Sequence, residues 1–325
     1  MSLITPAPPS TARPAPVAKA AAPRTRRAGG TPYAFLAPAM VLFVLFLAAP
    51  IVYAGYLSLR KVKVSGLGLG AKARTEVWAG LSNYARSMTD PDFLPSVWRV
   101  LAYGMIVVPT MLGLALLMAL LLDANRTRES VGKFARISIF LPYAVPAVVA
   151  SLLWGFLYLP RVSPINDTLE ALGITAPNLL SSSATIWAVA NIAVWGGTGF
   201  NMIVIYTALR AVPTSLYESA RIDGASETAI AWRIKIPIVM PSLVMTFVFS
   251  LIATLQVFAE PMTLKPLSNT ISTTWTPLMK VYRDAFTRND IYAAAATSVV
   301  IALATFLVSF GFLKLVGRRA FNQED

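Results

Sequence analysis

Two groups of residues carry what chemistry this chain can do, and neither is a catalyst's set. The first is the polar stretch Tyr217-Glu218-Ser219-Ala220-Arg221-Ile222-Asp223-Gly224-Ala225-Ser226-Glu227, which continues through Trp232-Arg233-Ile234-Lys235-Ile236-Pro237 to Pro241. The second is a set of amides and aromatics in or beside long apolar runs: Trp154, Tyr158, Asn191, Trp195, Asn201 and Tyr206, then Gln256, Glu260 and Tyr292. Amides hydrogen-bond hydroxyls and aromatic rings cover sugar faces, so this mixture suits a polyol. Glu260, followed by Pro261 at the outer end of its run, occupies a gate position. The same residue types also form interfacial belts and join helices in membranes.

Other chemistries fail for want of residues. The chain has no cysteine, so it has neither disulfides nor a thiolate metal site. It has no histidine, which removes the usual neutral-pH base and the commonest metal ligand. A membrane-embedded enzyme needs an acid/base pair or metal ligands at the membrane face, and the carboxylates here are scattered through loops. No Gly-x-x-x-x-Gly-Lys-Ser/Thr loop is present to cradle a nucleotide's phosphates.

The elements that position these residues are membrane helices. Of 325 residues, 56% are hydrophobic and 13% charged, with mean hydropathy +0.63; a soluble domain carries about a quarter charged residues. The net charge of +13 fits either nucleic-acid binding or the positive-inside bias of a membrane protein. The cations lie between apolar runs and form no single patch, which favours membrane over nucleic acid. A first run extends from Tyr33 to about Leu59, too long for a signal peptide, and five more cover roughly 100–122, 137–159, 184–209, 236–259 and 291–313. None of these five contains Lys, Arg, Asp or Glu. Carriers driven by ions or protons usually place charges there. The expectation is an all-α polytopic protein of six transmembrane helices, within which Pro50, Pro109, Pro142, Pro146 and Gly199 either serve ordinary helix packing or bend helices that line a pathway.

Lys and Arg near the helix ends favour both termini inside. Arg24, Arg26, Arg27, Arg126, Arg128, Lys133 and Arg136 then lie inside, followed by Arg210, Arg221, Arg233, Lys235, Lys314, Arg318 and Arg319. Arg161, Lys265, Lys280, Arg283 and Arg288 lie outside. The first outer loop breaks the rule with Arg60, Lys61, Lys63, Lys72, Arg74, Arg86 and Arg99, and reads as a folded external element packed by Trp78, Tyr84, Phe93 and Trp98. The Ala/Pro-rich segment 1–31 reads as a disordered cytoplasmic tail, 32–319 as the membrane domain and 320–325 as a short cytoplasmic tail.

Within the first group, Pro213 opens a helix that Thr214 or Ser215 can cap, Gly224 ends it, and a second short amphipathic helix leads to Pro237. This is a helix–turn–helix elbow over 213–241. The stretch resembles the EAA loop of ABC importer permeases, in the version typical of the maltose-permease-like carbohydrate-uptake family. Glu218, Ala220, Asp223, Gly224, Ala225, Trp232, Ile234, Pro237 and Pro241 stand in register, with departures at Ser219 (usually Ala) and Ile236 (usually Leu). Gly80-Leu81-Ser82-Asn83-Tyr84, Asp90-Pro91 and Phe93, Phe140-Leu141-Pro142 and Trp154 extend the resemblance over about 33–319.

The resemblance implies the type I importer permease fold in a bacterial cell membrane. It implies a coupling helix in which Glu218 pairs with a basic residue of an ATPase, Ser219 and Ala220 allow close approach, and Gly224 sets the turn before Ala225. Asp223 either braces that turn or contacts the ATPase. The implied partners are a dimer of cytoplasmic ATPases, which bind ATP and Mg, a second permease, and an extracytoplasmic solute-binding protein or lipoprotein. This chain itself would hold no cofactor. Its long first outer loop and extra N-terminal span resemble the first of the two permeases in sugar systems. A stand-alone carrier or channel is the competing reading.

Overall fold

The computed structural model describes residues 31–64, 74–124, 129–160 and 162–320. The tail expected before Thr31, residues 321–325, and Lys72, Arg126, Arg128 and Arg161 lie outside the described residues. Two units divide at Ile51/Val52. The first holds α1 (Thr31–Phe43), a π turn over Val44–Ala48 and the start of α2 (Ala49–Ser58). Tyr33–Ser58 forms a helical run of 26 residues, enough to cross a bilayer.

In the second unit α2 leads into an antiparallel hairpin of β1 (Arg60–Val64) and β2 (Arg74–Trp78), with Arg60 opposite Trp78 and Val64 opposite Arg74. The short α3 (Ser82–Met88) locks the hairpin's base. Its buried Asn83 Nδ2 donates to the carbonyls of Ser58 (2.8 Å) and Arg60 (2.6 Å). Of the four aromatics expected to pack this loop, Phe93 is buried and Tyr84 half-buried, but Trp78 and Trp98 are 62% and 65% exposed. No described residue layers over Trp78 on the two-stranded hairpin, and Trp98 lies off the buried stripe of its helix.

That helix is α4 (Phe93–Asp123), whose stripe Val100, Tyr103, Val107, Met111, Ala115 and Ala119 recurs every three or four residues. The span expected over 137–159 is broken. α5 (Glu129–Phe140), a 3-10 turn at Leu141–Ala144 and α6 (Ala147–Tyr158) form a pair bent by 97°. Pro142 and Pro146 each lack an amide donor, and Val145 before Pro146 is extended (ψ 125°). After α7 (Pro164–Ala171), α8 (Thr185–Arg210) packs along α4 through Val189, Ile192, Met202, Ile205 and Leu209. Gly199 lets the bend sit against α8: a Cβ there would collide with the carbonyl oxygen of Ile139 and the Cα of Phe140.

α9 (Thr214–Ile222), α10 (Glu227–Ile230), a π turn at Ala231–Lys235 and α11 (Ile236–Ile238) form the elbow region, and α12 (Met240–Leu255) returns through the bundle. The span expected over 236–259 also breaks. Gln256–Phe258 are non-helical, and α13 (Ala259–Leu264) resumes beyond them. Pro261 supplies no N–H to Val257 and crowds its carbonyl, so the helix interrupts one turn before the proline. α14 (Pro277–Tyr282) and α15 (Ile291–Ala320) complete the chain. Among the described residues five helices are thus long and apolar enough to span, and the bent pair makes six.

The hairpin end carries a dense ionic cluster. Lys280 Nζ lies 2.5 Å from Asp284 and 3.3 Å from Asp90, and Arg283 lies 2.8 Å from Asp92 and 3.0 Å from Asp284. Burial works against charge on Asp90, but the Asp92 N–H and the cations Lys280 and Arg283 outweigh it and hold its carboxyl below the ordinary range. The cluster ties the start of α4 to the segment before α15.

Candidate functional site

The elbow closes on a helix C-terminal motif that its sequence dictates. Gly224 has φ +81°, a region open to glycine. The N–H of Gly224 donates to the carbonyl of Arg221 (3.0 Å), and that of Ala225 to Ala220 (2.9 Å). These two bonds are the Schellman pattern. No side chain caps the start of α9, contrary to the expectation for Thr214 or Ser215; Pro213 occupies the cap position, and Thr214 is already helical. α10 is capped by Ser226 Oγ, which accepts from the Ala229 N–H (3.2 Å). Arg221 and Glu227 pair across the turn at 2.7 Å.

The six residues expected to couple divide by burial. Glu218, Ser219, Asp223 and Gly224 are exposed, together with Ile222 (86% exposed). Ala220 and Ala225 turn the other way and pack on Val212, Tyr217 and Ile230. Their small size therefore serves the elbow's own core, while Glu218, Ile222 and Asp223 form its outer surface.

A buried ion pair fastens the elbow to the bundle. Lys235 Nζ donates to Asp123 Oδ2 at 2.6 Å, and both side chains are nearly inaccessible. The ammonium also sits 4.8 Å from the centroid of the Tyr217 ring, within cation–π range. Arg210 approaches the other carboxylate oxygen at 4.0 Å from an exposed position. Burial, then the charge of Asp123, pushes the Tyr217 phenol up. Sequence reading missed Asp123 and the Lys235 pairing; a carboxylate ending one apolar run and a lysine opening another were the available signals.

Between α4, α6, α8 and the broken α12–α13 lies a cavity of about 760 Å³. Three of the seven residues expected on a solute path line it: Asn201, Gln256 and Glu260. Asn201 is held by its own Nδ2 bond to the Gly197 carbonyl (2.9 Å) and accepts from Ser250 Oγ (3.4 Å). Gln256 caps α12 at the helix break, its N–H donating to the Ala253 carbonyl (3.2 Å). The other four form a knot between α6 and α8. Trp154 lies against Tyr158 (5.7 Å) and edge-on to Trp195 (5.9 Å), and Asn191 donates to the Tyr158 hydroxyl (2.9 Å), which donates to the Ala188 carbonyl (3.1 Å). Tyr206 instead accepts from Arg136 (2.8 Å), and Tyr292 donates to Glu76 (2.7 Å). Sequence reading missed the cavity residues Tyr103, Tyr143, Phe200 and Phe258. Tyr143, in the Pro142–Pro146 bend, stacks on Phe200 at 4.9 Å.

A bundle of broken spans around a cavity, with a polar elbow at one end, defines a membrane permease. The solved structure of a bacterial alginate ABC transporter, in complex with an alginate pentasaccharide-bound periplasmic protein, contains a chain of this fold. The two superpose with TM-score 0.75 at 20% identity, over 89% of this chain and 95% of the other. The chain belongs to the family of binding-protein-dependent transport system inner membrane components, whose profile matches residues 111–322. It is a multi-pass ABC importer permease subunit and not an enzyme. The sn-glycerol-3-phosphate transport system permease protein UgpA of Agrobacterium fabrum is 30% identical over 287 residues, covering 86% of this chain and 94% of that protein. Its counterpart in Salmonella typhimurium is 29% identical over 282 residues, covering 86% and 91%.

Proposed function

We propose that this chain is the first of two permeases in an importer for a sugar, polyol or sugar phosphate. A binding protein outside the cell delivers the solute. A cytoplasmic ATPase dimer, holding ATP and Mg, drives the cycle. The elbow end faces the cytoplasm; Lys133, Arg136, Arg210, Arg233, Lys235 and Lys314 belong to this end, in line with the positive-inside rule. The relatives' names, glycerol phosphate and alginate, support the carbohydrate class.

The observation that carries the reading is the continuity from elbow to cavity. Glu218, Ile222 and Asp223 face outward on a turn whose other side packs into the elbow's own core, which the Lys235–Asp123 pair fastens to the bundle. Glu218 pairs with a cation of the ATPase, and Ile222 fills an apolar recess beside it. Closure of the ATPase dimer shifts the elbow, and the helices around the cavity rock with it. The lining residues Asn201 and Gln256 then hydrogen-bond the solute's hydroxyls in transit, and the second permease completes the wall.

The test is uptake and ATP hydrolysis by the reconstituted four-component complex carrying Glu218→Ala or Gly224→Pro. Uptake is lost in both variants while the isolated ATPase subunits still hydrolyse ATP. Uptake by this chain without any ATPase would make it a carrier in its own right.

A further inference from the structure

The relatives named for glycerol phosphate carry a dianionic ester, yet the cavity of this chain is built for a different charge. Among the described residues that line it there is one ionisable carboxylate, Glu260, and no Lys or Arg. Glu260 stands just past the break in the α12–α13 span, half-exposed, with Gln256 on the other side of that break. Its carboxylate makes no ion pair with a described residue. The rest of the described wall is apolar, aromatic or neutral polar, so no cationic side chain of that wall offsets the charge.

We propose that Glu260 makes this half of the path selective for uncharged, hydroxyl-rich solutes and against anions, phosphate monoesters included. This rests on the cavity being the solute path. A carboxylate accepts hydroxyl hydrogens in charge-assisted bonds. A phosphate monoester carries roughly two negative charges at neutral pH, which a carboxylate repels across a low-dielectric wall. Neither Asn201 nor Gln256 carries a positive charge to offset that repulsion. Glu260 is thus the specificity-determining residue, and the substrate class is the free polyol or sugar.

The experiment uses the full complex in lipid nanodiscs. The chain has no cysteine, so Ala253→Cys places a single thiol of this subunit on the cavity wall. Gly196→Cys, where an added Cβ meets nothing within 4 Å, is a second reporter. Labelling of this chain is followed by intact mass with a cationic and an anionic methanethiosulfonate of similar size. The cationic-to-anionic rate ratio is expected to exceed that of a free thiol by about tenfold, as a local potential of about 1 kT per unit charge requires, and Glu260→Gln is expected to bring it back within about twofold. A ratio equal to the free thiol's, or one that Glu260→Gln leaves unchanged, overturns the proposal. In proteoliposomes, glycerol is then compared with sn-glycerol 3-phosphate and glucose with glucose 6-phosphate. Preference for the neutral member supports the assignment, and equal or faster uptake of the phosphorylated member overturns it. Failure to take up any of the four counts against the carbohydrate reading of the importer, while the labelling ratio still decides the sign of selection.

Discussion

The ion pair between Lys235 and Asp123 allows an asymmetric perturbation. At 2.6 Å and an effective dielectric of about 20, the gross attraction is about 6 kcal/mol. Desolvation offsets much of it, yet removing one partner of a buried pair costs about 3–5 kcal/mol, because the other charge is stranded. The two removals are not equivalent here. After Lys235→Met, Asp123 still has Arg210 at 4.0 Å, reaching in from solvent. After Asp123→Leu, Lys235 keeps only the face of Tyr217, worth about 2 kcal/mol at best when desolvated. Asp123→Leu therefore costs about 3–5 kcal/mol and Lys235→Met about 1–2 kcal/mol less. The double variant lies between wild type and Asp123→Leu, because no buried charge is left alone.

Thermal unfolding of the detergent-solubilised complex, followed by tryptophan fluorescence, reads the order directly. A loss of about 3 kcal/mol shifts the midpoint by about 6–12 °C on the scale of soluble domains. The coupling ratio, solute imported per ATP hydrolysed, falls in the same order if the pair also ties the elbow to α4. Two results refute the reasoning: Lys235→Met at least as damaging as Asp123→Leu, or a double variant worse than both singles.

Three further perturbations test other junctions. Gly199→Ala drives a Cβ into the backbone at Ile139 and Phe140 and should cost about 1–3 kcal/mol in the same unfolding assay, whereas Gly113→Ala, with nothing within 4 Å, should leave the midpoint unchanged. Gly224→Ala at φ +81° should cost about 1–2 kcal/mol and lower import per ATP, with Gly224→Asn milder because Asn tolerates the left-handed region. The carboxyl of Asp90 has a lowered folded pKa, so its stabilising contribution is complete above the unfolded value of about 3.9 and is lost as pH falls through the folded one; limited proteolysis at the hairpin end should accelerate only below about pH 4, and Asp90→Asn should be cleaved faster at pH 7.

What the sequence made legible follows from the length of each signal. A run of some twenty apolar residues without a charge has no stable place outside lipid, so the spans and their order could be read directly. The elbow was legible because it is local: Pro213, Gly224, Ser226 and Pro237 each act within a few residues of themselves. The breaks were less so. Proline bends a membrane helix only when neighbours accept the freed groups, and the neighbour at Gly199 is about sixty residues beyond Pro142 in the chain. The site divided the same way. Type alone put Trp154, Tyr158, Asn191 and Trp195 on the solute path, but all four satisfy one another between α6 and α8. Asp123 and Lys235 are 112 residues apart, and no local pattern links them.

That long-range pair changes how motion can pass through the bundle. Three elements that wall the cavity reach the elbow. α8 ends at Arg210, four residues before α9 begins at Thr214. α12 begins at Met240, two residues after α11 ends. α4 has no chain connection to the elbow and is joined through Asp123 and Lys235. Without that pair a displaced elbow would pull on α8 and α12 alone, and α4, which contributes Tyr103, Val107 and Met111 to the cavity, would be held mainly by apolar packing on α8. Apolar packing between helices in lipid has no hydrophobic drive behind it and is held by van der Waals contact alone. A buried ion pair does not slide, since any separation strands two charges. One charged contact placed where α4 ends thus fixes that helix to the elbow, while beyond the break at Gln256–Phe258 α13 is held by packing, its fully buried Leu264 lying against Gly155 of α6.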